Sequence, residues 1–81
     1  MNPNRSQKES EILTNFATKL KEIRLAAGYS QEEMSHLSGF SRSYYADIET
    51  GKRNISLLNI SKIISVLNID ANTLIKTITE N

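Results

Sequence analysis

The chain has 81 residues, with ten Lys or Arg against nine Asp or Glu, one His and no Cys. That length holds one domain with a modest core and little room for a deep substrate cleft. The absence of Cys excludes disulfides, thiolate metal sites and a cysteine nucleophile, and the net charge of +1 and pI ≈ 8.0 fall short of the pI of about 9 that marks a basic nucleic-acid binder.

No apolar run approaches the roughly 18 residues that span a bilayer, and the polar opening MNPNRSQKES lacks the apolar stretch of a signal peptide. A cytoplasmic protein with no membrane contact is expected. An enzyme is not: there is one His, no phosphate loop and no convergent acid pair. His36 has no second ligand near it in sequence, so no metal and no cofactor are implied. Nor is there room for a domain that senses a small-molecule ligand.

Residues 1–11 read as a flexible polar arm, and 12–79 as a single domain. From Ile12 apolar residues recur at helical spacing through Leu13, Phe16, Ala17, Leu20, Ile23 and Ala27, and Gly28 ends the run as a left-handed cap would. Ser30 followed by Glu33 is a capping box, and the acids of QEEM suit the positive end of a second helix. That helix runs past Met34 and Leu37 to Ser38, and Gly39 breaks it. Ser41 opens a third helix with Tyr45 and Ile48 inward, ending near Thr50 and Gly51. After the polar loop GKRN, Ser56 caps a fourth helix that places Leu57, Ile60, Ile63, Ile64 and Leu67 on one face. Asp70 can cap a fifth, with Ala71, Leu74, Ile75 and Ile78 along one stripe. The expected fold is all-α with short connections.

Two short helices joined by a glycine turn form a helix-turn-helix. The pattern meets the demands of that motif: small Ser35 where the helices cross, Gly39 four positions later, Phe40 to plug the turn, then Tyr45 and Ile48 three apart. With those two inward, Ser41, Arg42, Ser43, Ala46 and Asp47 face outward or flank the outer face. A recognition helix enters the major groove with its N-terminal residues. Arg42 can fork onto guanine, Ser41 and Ser43 can bond a base or a phosphate, and Ala46 lets the backbone approach a thymine methyl. The Tyr44 hydroxyl can reach a phosphate. Gln31 opens the second helix, where its amide and the backbone N–H groups can grip phosphate. Lys52, Arg53 and Asn54 can hold the flanking backbone. Asp47 is the misfit on this surface, because a carboxylate is repelled by phosphates; it accepts from a cytosine amino group, orients a neighbour or sits off the DNA, and the last two are favoured.

The stretch from Phe16 to Leu74 resembles the lambda-repressor-like (Xre) helix-turn-helix family. The resemblance rests on Arg24 and Gly28, then SQEE, the turn SGFSRSYY, the run IETGKRNIS and an Ile/Leu-rich helix. Tyr45 stands where the family has Ile or Val, and Ser35 where it has Ala. Within the family the chain is most like the small stand-alone controller proteins of restriction–modification systems. The resemblance implies a five-helix DNA-binding domain, a homodimer and a pseudo-palindromic double-stranded operator. For controllers it further implies activation at a strong site and repression once a second dimer fills a weaker one. It also pairs residues at the places of Arg24 and Glu49, giving a structural ion pair. Glu32 and Glu33 are assigned to the helix dipole, with an activating contact to RNA polymerase as the alternative. Leu58 turns away from the apolar face of its helix, and Ile75 and Ile78 extend their stripe beyond one small core. All three are expected at a dimer interface. The rival readings are a phage-type repressor, an antitoxin autoregulator, or a protein-interaction module with no DNA role.

Overall fold

Among the described residues, 6–79, four helices begin on a serine. In this computed structural model the helices are α1 Gln7–Ala27, α2 Gln31–Ser38, α3 Arg42–Glu49, α4 Leu57–Leu67 and α5 Asn72–Thr79. The Oγ atoms of Ser6, Ser30, Ser41 and Ser56 accept from the backbone N–H three residues on, at 3.0–3.1 Å. Each such cap is worth about 1 kcal/mol. In α1 and α2 the bond is reciprocated: Glu9 and Glu33 accept from the N–H of Ser6 and Ser30, both at 2.9 Å. The fifth helix starts on Asp70, whose Oδ1 accepts from the Asn72 N–H at 2.9 Å.

The Ser6–Glu9 box corrects the expected arm. Residues 7–11 are helical, so α1 starts five residues before Ile12. Those residues are exposed or half-buried and carry little apolar periodicity, yet the reciprocal cap holds the first turn without core contacts. The part of the arm before Ser6 lies outside the described residues.

Every helix supplies the core. Phe16, Ala17 and Leu20 come from α1, Met34 from α2, Tyr45 and Ile48 from α3, Ile60, Ile63 and Leu67 from α4, and Leu74 from α5. The long α1 packs against α3, α4 and α5, while α2 packs against α3 and α4. The short α3 is thereby held on its inner side and left open on the other. Leu57 does not join the apolar face of α4 as expected. It is 77% exposed, because it is the first residue of the helix and overhangs the end of the core.

Candidate nucleic-acid interface

Gly39 makes the turn between α2 and α3. It sits at φ 77°, and its N–H donates to the His36 carbonyl at 3.1 Å while the Phe40 N–H donates to that of Ser35 at 2.8 Å. These bonds satisfy carbonyls that α2 leaves open. Ser35 is buried where the helices meet, with its Oγ donating to the Glu32 carbonyl at 2.8 Å. Phe40 is half-buried and meets the Tyr44 ring edge-to-face, centroids 5.1 Å apart. Helix α3 is thus fixed at its entry by the turn and along its inner side by Tyr45 and Ile48.

The first turn of α3 carries Arg42 and Ser43, both exposed, behind the exposed cap Ser41. Ser41 and Ser43 hydroxyls are 3.5 Å apart. Arg42 Nη1 lies 3.2 Å from Glu32 Oε1 of α2, so the two helices of the motif are bridged at the surface. Ala46 and Asp47 are half-buried further along, and Lys52 and Asn54 are exposed in the loop after α3.

Tyr44, expected at a phosphate, is held on the flank of α3 with its O–H donor still available for that contact. Its hydroxyl accepts from Asn59 Nδ2 of α4 at 2.8 Å, and the Arg53 guanidinium lies 5.3 Å from its ring centroid. The same guanidinium is 3.5 Å from Asp47 Oδ2. Asn59, Tyr44, Arg53 and Asp47 therefore form one connected cluster on the flank of the recognition helix. Asn59 carried no signal in the sequence, since a polar residue in the first turn of a capped helix is ordinary there.

Behind α3 lies a buried polar group. Arg24 Nε donates to Glu49 Oε2 at 2.6 Å and Nη2 to Oε1 at 3.1 Å, a forked pair, and Nη1 reaches the Tyr29 carbonyl at 2.8 Å. Gln31 Nε2 also donates to Glu49 Oε1, at 3.1 Å. The Gln31 amide, expected at phosphate, thus gives one of its two N–H donors to the ion pair, and its backbone N–H lies at the start of α2. Burial by itself would raise the Glu49 carboxyl; Arg24, the Tyr45 hydroxyl and Gln31 outweigh it and hold the group below the usual carboxylate range. The Arg24 guanidinium is held above its ordinary value, chiefly by the bond to Glu49. The Tyr45 hydroxyl is buried beside the Glu49 carboxylate, close enough to act on its charge but outside hydrogen-bond geometry. Burial first, then the neighbouring carboxylate, pushes its ionisation far above that of a free tyrosine.

The apolar residues assigned to self-association are separated by element. Leu58 is 75% exposed at the start of α4, beside the equally bare Leu57. Ile75 and Ile78 are half-buried on α5, which packs against α1. No described helix is long and apolar enough to cross a membrane.

Comparison with known proteins agrees with this architecture. A family model described as "Helix-turn-helix" matches residues 20–74. Control protein C.MunI of a Mycoplasma species is 39% identical over 70 residues, which is 85% of this chain and 95% of that one. Control protein C.BamHI of Bacillus amyloliquefaciens is also 39% identical, over 74% of this chain and 75% of that one. Among solved structures, the restriction-modification controller protein C.AhdI from Aeromonas hydrophila superposes with a TM-score of 0.74 at 45% identity, covering 76% of this chain and 94% of that one. The chain belongs to the lambda-repressor-like (Xre) helix-turn-helix family of DNA-binding transcription regulators, beside the controller proteins of restriction–modification systems.

Proposed function

We propose that this chain is a restriction–modification controller: a homodimer that binds a pseudo-palindromic operator, activating at a strong site and repressing when a second dimer occupies a weaker one. The observation that carries the reading is the first turn of α3, where Arg42 and Ser43 stand exposed behind a serine cap on a helix locked from its inner side. Names of relatives that cover nearly their whole length point the same way. In this reading Arg42 reads a base, Ser41 and Ser43 bond base or phosphate, and Ala46 allows close approach to a thymine methyl. The Gln31 backbone N–H, Lys52 and Asn54 hold phosphates on either side. Leu58, with Leu57 beside it, lies at the two-fold axis, and α5 supports it through Ile75 and Ile78. Two copies of α3 then fall about one helical turn of DNA apart.

A footprint on the DNA upstream of the chain's own gene tests this. The expected pattern is a protected pseudo-palindrome, joined at higher protein concentration by a second protected stretch. Protection of a single half-site, or none, contradicts the proposal. A salt titration of the same binding separates it from a protein-interaction module. Lys52→Ala should flatten the log–log salt slope by about one per half-site while weakening all duplexes alike.

A further inference from the structure

Asp47 stands where a carboxylate is disfavoured twice. It lies in the last turn of α3, where the helix dipole repels negative charge. It also shares a helix row with Ser43, four residues earlier, on the side proposed to face phosphates. Something must offset both costs, and the offset in view is Arg53. One Nη of its guanidinium is 3.5 Å from Asp47 Oδ2, and the group lies 5.3 Å from the Tyr44 ring centroid. That ring is itself fixed by the Asn59 hydrogen bond at 2.8 Å and by the edge of Phe40. The guanidinium is held by a carboxylate and an aromatic ring, yet its side chain stays 53% exposed.

We infer that Asp47 is a positioning residue that sets DNA specificity through Arg53. The inference rests on the operator-binding reading above. Asp47 has two effects on its partner. It fixes the plane of a guanidinium whose forked donors act only in a defined orientation. It also cancels charge that would otherwise attract any phosphate, which is the sequence-independent part of DNA binding. Together they turn Arg53 from a general phosphate neutraliser into an oriented contact at the edge of the groove. Glu32 holds Arg42 by one edge as well, but that pair is more exposed, at 73% and 66%, and has no ring to fix its plane.

The test compares the full-length protein with Asp47→Asn, which keeps the side-chain shape. Two duplexes are used at matched salt: the footprinted upstream site and a mixed-sequence DNA of equal length. Removing the charge should lower the ratio of the two affinities about tenfold and steepen the salt slope on mixed-sequence DNA by about one per half-site. Asp47→Glu, which keeps the charge, should retain more of the ratio than Asp47→Asn. In an Arg53→Ala background, Asp47→Asn should leave the ratio unchanged, because a bare carboxylate repels both duplexes alike. An unchanged ratio in the single variant overturns the inference. So does an equal fall in the Arg53→Ala background, since Asp47 would then act as a charge near DNA and not through Arg53. A wild-type protein with no preference between the two duplexes overturns the operator reading itself.

Discussion

Glu49 is bonded on both carboxylate oxygens, by Arg24 and by Gln31. Such a buried pair adds little net stability, but loss of one partner strands a charge at a cost of about 3–5 kcal/mol. The Glu49 carboxyl is held below its ordinary value. Its contribution to stability is therefore present above that ordinary value and is lost as pH falls through the folded one. Arg24 is raised, so its contribution is intact throughout the working range and would be lost only at extreme alkaline pH. Thermal unfolding followed by circular dichroism should show a plateau near neutrality and a fall below about pH 4. Glu49→Gln should lower the plateau and flatten that fall. The same plateau in Glu49→Gln as in the wild type contradicts this account of the pair. The ring of contacts around these residues was only partly legible in the sequence. The family resemblance indicates Arg24 with Glu49, but Gln31 and Asn59 take partners 18 and 15 residues away. No local pattern reports such pairings.

Helix starts were the most legible elements. The serine caps are local chemistry, visible within four residues, and three of them, at Ser30, Ser41 and Ser56, mark starts that the sequence already indicates. The start of α1 lies outside the run of apolar periodicity, and the Ser6–Glu9 box is its one local mark. Leu57 falls on the apolar side of the wheel yet stays exposed, because a helical wheel does not report where the core ends. A further element-scale fact is invisible to the wheel. Gly51, at φ 75°, ends the α3 turn against α1. A Cβ there would meet the Thr14 Oγ1 at 3.2 Å and its Cα at 3.3 Å, whereas one at Gly39 meets nothing within 4 Å. Both alanine variants suffer the left-handed backbone, at about 1–2 kcal/mol. Only Gly51→Ala must also push against the backbone of a packed helix, adding about 1–3 kcal/mol. Chemical denaturation should therefore rank Gly51→Ala clearly below Gly39→Ala. Equal losses would mean that α1 and the loop separate readily.

At the scale of the whole molecule, five helices and one small core leave Leu57 and Leu58 bare. A two-fold contact uses the same patch on both copies, and two adjacent exposed leucines at a helix start supply such a patch. Ile75 packs partly against the core, so a polar residue there disturbs the monomer as well as any interface. Leu57→Ser with Leu58→Ser is the cleaner variant. It should keep the wild-type helix content and melting behaviour, while sedimentation at tens of micromolar, judged against micromolar dissociation constants, shifts from dimer to monomer. A wild-type chain that is already monomeric under those conditions removes the self-association proposal. Half of this patch is legible in the sequence, since Leu58 turns away from the apolar face of its helix; Leu57, expected on that face, joins it only once the core is assembled and the leftover apolar surface can be seen.

The central claim is that this molecule reads DNA through the first turn of α3, and the most direct test is competition binding at fixed salt. Wild type and Arg42→Ala are compared across versions of the upstream site changed one base pair at a time. Arg42 is exposed and paired only at the surface with Glu32, so its removal should cost folding less than about 1 kcal/mol. Affinity for the intact site should fall by about 1–3 kcal/mol per half-site, and discrimination should relax at one symmetric position, a guanine. Arg42→Lys should not restore it, because an ammonium lacks the forked donors. An Arg42→Ala protein that keeps wild-type preference at every position would contradict the claim.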